Sequence, residues 1–233
     1  RFSDDYRLRL DVPRAKLSLS QGRQRFELGA VQAGLSLRPA GLSDLSFMAA
    51  RGTSNLSLAG ALADPGSRLE ARLDFDLDLR DFYPGLKPAV PGRFMGWLTA
   101  GGSLKQPELA TVIHHSGGNF RGFEFGPAEL EAQLNNRLLK LELLKAGLAN
   151  GLVSLKGQAD LSQAWPADGP LKPAAIAYRL QFDGLGLSLK ALPQAPPELG
   201  GLIDTSAELN GRGLEALSFA ARVKAQGLSW QDL

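Results

Sequence analysis

Apolar and charged residues alternate one by one along Arg68–Arg80. Every odd position of 69–79 is leucine, alanine or phenylalanine, and every even position of 70–78 carries a charge. Successive side chains of a β-strand point to opposite faces, so this pattern predicts a long strand with one apolar and one charged face. A helix would scatter the same residues around its circumference.

The same alternation recurs along the chain and predicts further amphipathic strands. The leucines of residues 137–149 also fit a helix, but we interpret this stretch as a strand because it belongs to the repeat described below. The apolar residues of these segments are the candidate lining of one apolar surface: Leu8, Leu10, Leu17, Leu19, Leu56, Leu58, Leu69, Leu73, Phe75, Leu77, Leu79, Leu139, Leu141, Leu143, Val153, Leu155, Ile176, Tyr178, Leu180 and Phe182.

Turn-forming residues separate the alternating segments and predict about sixteen strands joined by short links. Two proline-rich stretches, Phe82–Pro91 and Leu192–Gly200, are expected to be loops or short helical turns. The turn signals are Pro13, Gly22, Pro39, Asp64-Pro65-Gly66, Gly117-Gly118-Asn119, Asn135-Asn136 and Asp168-Gly169-Pro170.

The chain also resembles itself at an offset of 97 residues, where Phe26-Glu27-Leu28-Gly29 falls on Phe123-Glu124-Phe125-Gly126. A second offset of about 105 to 110 residues places Phe75-Asp76 near Phe182-Asp183. We therefore expect one continuous repetitive segment over residues 1–233, with units near 1–97, 98–204 and a partial 205–233.

An amphipathic sheet of this length must cover its apolar face, because soluble proteins rarely expose more than a few hundred Å² of contiguous apolar surface. Leucine dominates the apolar residues, whereas aromatic residues make up only 7% of the chain. The predicted fold is all-β: an elongated, open antiparallel groove of tandem repeats with a leucine-lined interior.

The composition narrows the classes of function. The 26 basic and 24 acidic residues are spread evenly, which argues against a nucleic-acid interface. The absence of cysteine is compatible with the cytosol and with an oxidising periplasm. No run of about 18 apolar residues occurs, and the chain begins at Arg1, so we expect a segment of a longer protein whose membrane anchor lies elsewhere.

No pattern of catalytic, metal or cofactor-binding residues emerges. The only histidines, His114 and His115, are adjacent and would point to opposite faces of a strand, which prevents joint chelation. The aspartates of residues 74–78 suggest calcium, but flanking arginines and strand spacing favour a solvated face. No Gly-x-Ser-x-Gly motif is present, and the paired glycines do not link a strand to a helix. We expect a protein that is not an enzyme and uses no cofactor.

The stretch Phe94–Gly126 carries a resemblance to a known family. It contains Gly102-Ser103-Leu104, then Pro107 and a strand, and then Arg121-Gly122-Phe123. This order, and the ending of Gly151–Asp160, resembles the repeats of the TamB family, the inner-membrane subunit of the translocation and assembly module, within the AsmA-like superfamily. The second copy, Gly211–Leu214, departs from the pattern because it lacks the proline.

The resemblance implies a β-taco with a leucine-rich groove, located in the periplasm and anchored in the inner membrane by an N-terminal segment outside this chain. It implies phospholipid acyl chains as cargo between the two membranes. It also implies assembly of outer-membrane proteins and autotransporters with a TamA- or BamA-type barrel, contacted by other parts of the protein. No nucleic acid is expected as a partner.

Two alternatives remain open. A lipopolysaccharide-transport bridge is also a leucine-lined open β-fold. A purely structural or chaperone module would use exposed strand edges to bind other strands by β-augmentation.

Overall fold

A computed structural model describes residues 8–21, 24–38, 41–63, 68–82, 92–103, 106–120, 123–165, 172–192, 195–196, 198–213 and 216–230. The turn signals at Gly22, Pro39, Asp64-Pro65-Gly66 and Asp168-Gly169-Pro170 lie outside these residues, as does most of Phe82–Pro91. Leu104 and Arg121-Gly122, which belong to the family-like stretch, also lie outside them.

The described residues form an all-β antiparallel structure with fourteen strands. A single α-helical turn, α1 at Leu79–Phe82, follows the fifth strand, and 3-10 turns occur at Pro173–Ala175 and Leu189–Ala191. The strands are β1 Leu8–Gln21, β2 Gln24–Arg38, β3 Gly41–Arg51, β4 Ser54–Ala63, β5 Arg68–Asp78, β6 Arg93–Ser103, β7 Gln106–His115, β8 Gly118–Phe120, β9 Phe123–Asn135, β10 Leu138–Leu148, β11 Gly151–Asp160, β12 Ala177–Ser188, β13 Leu199–Arg212 and β14 Ala216–Trp230.

The chain divides into two compact units, residues 1–113 (unit 1) and 114–233 (unit 2). In each unit the hydrogen-bonded order of the strands follows their order in the chain, and β8 adds a short pairing to β9. In the described part of each unit, no pairing returns to close the sheet into a ring. Short connections between neighbouring antiparallel strands explain this order.

The stretch 137–149 is a strand, β10, as expected from the sequence. The predicted strand Arg68–Arg80 ends earlier, at Asp78, because Leu79 begins α1. The predicted turn at Pro13 is wrong. Residues 8–21 form one strand, in which Pro13 and Arg14 lie in a bulge between the pairs Val12–Ala33 and Ala15–Val31. A bulge accommodates proline because the extra residue leaves the ladder of hydrogen bonds.

Few side chains are fully buried, as expected where strands pack mainly against their neighbours in a sheet. In unit 1, Val31 and Ala49 are buried and lie directly opposite each other on β2 and β3. In unit 2, the buried apolar residues are Leu134, Ala149, Ala164 and Leu187. Most other apolar strand residues are half-buried.

Two hairpins of unit 2 turn through two-residue loops in the left-handed backbone region. Asn136 and Arg137 join β9 to β10 with φ of 47° and 64°, and Ala149 and Asn150 join β10 to β11 with φ of 47° and 61°. Positive φ at both central positions is typical of the type I′ turn, which strongly favours Asn-Gly. Arg137 is thus an unfavourable residue at the second position.

The substitution Arg137→Gly is expected to stabilise unit 2 by about 1 kcal/mol, because glycine adopts positive φ without the steric cost of a Cβ atom. Chemical denaturation measures the change. The control Arg137→Ala removes the same side-chain interactions but retains the Cβ, so it should give no gain. A loss of stability in both variants would show that the interactions of the arginine side chain outweigh the backbone term.

Candidate functional site: an apolar face on each unit

In unit 2 the strand register assigns each residue to one of two faces, because directly paired residues of antiparallel strands share a face. Leu155 pairs with Leu144 and with Phe182, and Ala207 continues the same row on β13. No charged residue lies on this face anywhere in β9–β14. We define it as the apolar face; it carries Phe125, Ala128, Leu130, Ala132, Leu134, Leu139, Leu141, Leu144, Ala146, Leu148, Val153, Leu155, Ala159, Tyr178, Leu180, Phe182, Leu187, Ile203, Thr205, Ala207, Leu209, Leu217, Phe219, Ala221, Val223, Ala225 and Trp230.

Bulges at glycine residues keep this face apolar where the positions of apolar residues switch from even to odd numbers, or from odd to even, within one strand. In β12, an extra residue near Gly186 (φ 60°) places Leu187, rather than residue 186, in line with Phe182 and Gly184. A glycine in the left-handed conformation is a common way to form such a bulge. Leu187 is accordingly buried at 4% exposure, whereas Leu185 on the other face is 57% exposed.

Unit 1 has an equivalent apolar face. Leu56, Leu58, Leu73, Phe75 and Leu77 lie on it and are half-buried. The strand pairing extends this face onto β3 and β6. Among the paired residues of β1–β6 that lie on this face, Arg51 at the end of β3 is the one that carries a charge. Leu69 completes the row on β5.

Most of the remaining candidate lining residues also lie on the apolar face of their unit. Leu10 and Leu139 lie on the apolar faces and are exposed at 59% and 39%. By backbone register Leu8, Leu17 and Leu19 occupy positions of the apolar face in β1, but their side chains lie outside the described part. Leu141, Val153, Leu180 and Tyr178 lie half-buried on the apolar face of unit 2.

Three candidates differ from the expectation. A bulge in β10 between Leu141 and Leu144 places Leu143 opposite Glu131, on the other face, and Leu144 takes its position. Leu79 lies in α1, and Ile176 precedes β12, where its carbonyl accepts a hydrogen bond from the Gly213 N–H at 2.8 Å. Simple alternation fails at these sites because an extra residue in the strand moves the following side chains to the opposite face, or because the strand ends before the residue is reached.

The opposite face of each unit, the polar face, carries the charges. On β5, Asp74 pairs with Arg72 at 2.7 Å, Asp76 with Arg93, and Asp78 with Arg80. Hydrogen bonds from the Arg80 side chain and backbone lower the pKa of Asp78 to about 2. These carboxylates are therefore held by arginine, and the described residues include no group of three His, Asp or Glu residues arranged for a metal ion.

Hydrogen bonds between α1, which follows β5, and the β3–β4 turn hold these two segments together. The Asp81 carboxylate accepts hydrogen bonds from the Thr53 N–H at 2.9 Å and from the Ser54 hydroxyl at 2.8 Å. These bonds lower the pKa of Asp81. A Cβ atom at Gly52 would lie 2.2 Å from the Asp81 carboxylate, so the turn requires glycine for close approach as well as for its φ of 57°.

Surface depressions in the described residues also occur on the polar face. One of about 580 Å³ is lined by Gln133, Lys140 and Asp160, and another of about 410 Å³ by Glu142, Lys156 and Arg179. Charges of both signs line them, which gives no selective electrostatic field for an anion or a cation.

The two histidines have different surroundings. His114 is half-exposed and lies 3.9 Å from Glu129, whereas His115 is only 7% exposed and stacks on Phe125 with ring centroids 5.3 Å apart. The Nδ1 atom of His115 accepts a hydrogen bond from the Gly117 N–H at 3.0 Å, which requires that nitrogen to be unprotonated. Burial lowers the pKa of His115 below its usual value of 6.5.

Acidification is therefore expected to destabilise unit 2 through His115. The pKa of His115 is lower in the folded state than in the unfolded state. The free energy of unfolding is therefore highest above pH 6.5, and the contribution of neutral His115 is lost as the pH falls through the pKa of the folded state. Thermal melts between pH 8 and pH 5 measure this. His115→Asn retains an acceptor but does not titrate, so it should remove this part of the pH dependence; the exposed control His114→Gln retains it. An unchanged profile in His115→Asn would contradict the assignment.

The tryptophans play different roles. Trp97 lies on the polar face of unit 1, where the Arg72 guanidinium stacks 5.3 Å from its ring centroid. Trp230 lies on the apolar face of unit 2 and is 61% exposed. The sequence interpretation did not select the apolar residues of β13 and β14, although the alternation in Leu217–Ala225 is a clear signal for them.

Among the described residues, none of the helical segments has the length and hydropathy needed to cross a bilayer. Comparison with known proteins finds no matching family model, no matching curated protein and no matching solved structure.

Proposed function

We propose that this chain is part of a periplasmic bridge of the Gram-negative envelope that carries phospholipid between the inner and outer membranes along its apolar face. The cargo moves passively, and no bond in the lipid is made or broken. The observation that carries the proposal is the uninterrupted apolar face of β9–β14, which holds no charged residue in six strands.

The physical basis is the cost of leaving such a face in water. Burial of each methylene of an acyl chain against apolar side chains contributes about 0.8 kcal/mol. Half-buried Leu155 and Phe182 and exposed Phe219 provide apolar surface for that contact. The charged polar face keeps the opposite side of the sheet hydrated, so a lipid is favoured on one face only.

The TamB-like stretch Phe94–Gly126 supports the cellular setting: an inner-membrane anchor outside this chain and an outer-membrane barrel of the TamA or BamA type as partner. In this proposal the sheet curves so that its apolar face lines a groove, and repeated units extend it. Assembly of outer-membrane proteins and autotransporters then accompanies or depends on lipid supply.

Lipid extraction and mass spectrometry of the chain, purified without detergent from a Gram-negative host, test this function. Phospholipid in a reproducible ratio to protein is the expected result. Lipopolysaccharide instead would assign the chain to lipopolysaccharide transport. Absence of any lipid, together with failure to bind a fluorescent fatty acid, would overturn the conduit and favour a scaffold.

A further inference from the structure

A depression on the polar face of unit 2 lies where β9 and β11 end and β10 begins. It has a volume of about 580 Å³, and Lys140 and Asp160 bring one charge of each sign to its lining. Such a lining does not select a simple anion or cation, but it fits a ligand that carries both charges.

The strand register places these two charged residues side by side on one face. Leu138 pairs with Asp160 and Lys140 pairs with Gln158, so Lys140 and Asp160 are diagonal neighbours on β10 and β11. Diagonal neighbours lie about 7 to 8 Å apart, within reach of long side chains. None of the ion pairs among the described residues involves Lys140 or Asp160, so a ligand between them can meet both charges.

The carboxylate of Asp160 is held in its ionised form. Its Oδ1 atom accepts a hydrogen bond from the Ser162 N–H at 2.8 Å. Hydrogen bonding by Ser162, with a smaller effect from the charge of Arg212, lowers the pKa of Asp160. Within the described part of the chain no hydrogen bond goes to Oδ2, and this oxygen is therefore available to a ligand.

Amide side chains form much of the remaining lining. Gln133, Asn135 and Asn136 are exposed, and each amide offers a C=O acceptor and two N–H donors. Such groups can donate to the oxygens of a phosphate and can also accept from an ammonium. Leu138 is half-buried and gives the depression an apolar portion.

The depression adjoins the end of the apolar face. Leu138 lines the depression, whereas the next residue, Leu139, lies on the apolar face and is 39% exposed. Successive side chains of a strand lie on opposite faces, so the two surfaces meet around the turn at Asn136 and Arg137. A molecule with an acyl chain against Leu139 can therefore place a polar head group in the depression.

We propose that this depression binds the zwitterionic head group of an aminophospholipid, with its phosphate near Lys140 and its primary ammonium near Asp160. The inference rests on the proposed carriage of phospholipid and names the class of head group. The phosphate and ammonium of this head group are separated by an ethylene group, a span that fits between diagonal neighbours. A quaternary ammonium has no N–H to donate to the Asp160 carboxylate, and a glycerol head group has no ammonium, so both are disfavoured.

Competition between lipids tests the proposal. The purified chain is incubated with vesicles that contain equal amounts of phosphatidylethanolamine and phosphatidylglycerol with identical acyl chains, and the bound lipid is quantified by mass spectrometry. Phosphatidylethanolamine should be enriched, and phosphatidylcholine in its place should not be. The double variant Lys140→Gln/Asp160→Asn should reduce the enrichment about two- to fivefold, the range expected for exposed ion pairs, with the total amount of bound lipid unchanged.

The matched control is Lys156→Gln/Asp183→Asn. Lys156 pairs with Gln181, so Lys156 and Asp183 are also diagonal neighbours on the polar face. They lie in the middle of β11 and β12, where a lipid on the apolar face has no turn around which its head group can pass. This variant should keep the enrichment of wild type.

Soluble head groups separate this inference from the conduit. Glycerophosphoethanolamine should shift the NMR resonances of residues 138–140 and 160 in wild type but not in Lys140→Gln/Asp160→Asn. Glycerophosphate and inorganic phosphate lack the ammonium and should bind more weakly.

The proposal is overturned if the bound lipid shows no enrichment, if the double variant retains it, or if glycerophosphate binds as well as glycerophosphoethanolamine. Lipid bound without any preference would leave the conduit intact and remove only the head-group site. Absence of bound lipid, with glycerophosphoethanolamine still bound at these residues, would overturn the conduit and show a site for the soluble head group instead.

Discussion

Replacing Leu155 by arginine is expected to abolish lipid binding by unit 2 while leaving its fold largely intact. Leu155 lies in the middle of the apolar face, between Leu144 and Phe182, and is half-buried. The guanidinium would lie where the acyl chain must bind. Binding of the lipid would then remove water from the charge, and this desolvation costs free energy. Because the site is partly open, water can still hydrate the guanidinium in the empty protein.

The matched control is Ser154→Arg, one residue away. Ser154 lies on the polar face, opposite Asp183, so an arginine there meets a carboxylate and water. It should bind lipid as wild type does. Fluorescent fatty-acid binding and lipid mass spectrometry report binding, and thermal melting reports the fold. If Leu155→Arg binds lipid normally, the conduit is excluded. If it instead unfolds the unit, at a cost above about 4 kcal/mol, the face is a closed core.

The second large effect is expected at Gly96 in unit 1. An ideal Cβ at this position would lie 2.1 Å from the carbonyl oxygen of Val112 and 3.0 Å from the Ile113 Cα. Both are backbone atoms, so no side-chain rotation can relieve the contact. Gly96→Ala should destabilise unit 1 by about 2 to 3 kcal/mol, as overpacking does elsewhere. A fall of about 10 °C or more in Tm is expected for a unit of this size.

Gly101→Ala on the same strand provides the comparison. The nearest atom to a Cβ at Gly101 is the Glu108 carboxylate at 3.8 Å, which is ordinary van der Waals contact. This variant should be neutral or slightly more stable, because glycine within a strand costs about 0.5 to 1 kcal/mol relative to alanine. Equal melting of the two variants would mean that β6 and residues 112–113 do not approach as closely as described.

The period-two pattern was sufficient to predict the all-β class and several of the strands. It identified β5 from Arg68 onward, and it identified β10 although its leucines also fit a helix. The reason is steric: a strand that is half-buried needs an apolar residue at every second position, and that requirement is visible in the sequence. The left-handed turn at Asn136 was likewise signalled by its asparagine.

The pattern was not sufficient to assign faces across a bulge. Leu143 and Leu144 are adjacent leucines, and only the pairing of β10 with β9 and β11 decides which one joins Leu155 on the apolar face. Pro13 was likewise interpreted as a turn, whereas its partner strand continues past it. A bulge depends on how two strands align, and a single strand does not contain that information.

The sequence by itself therefore determined the β-class and the separation of apolar from charged residues, since both follow from local alternation. Only the tertiary structure decided which apolar rows join into one face. It also decided that Asp76 forms an ion pair with Arg93 of the next strand, and that the missing Cβ of Gly52 leaves room for the Asp81 carboxylate. Each of these depends on register between segments distant in the chain, where a shift of one residue moves every side chain to the other face.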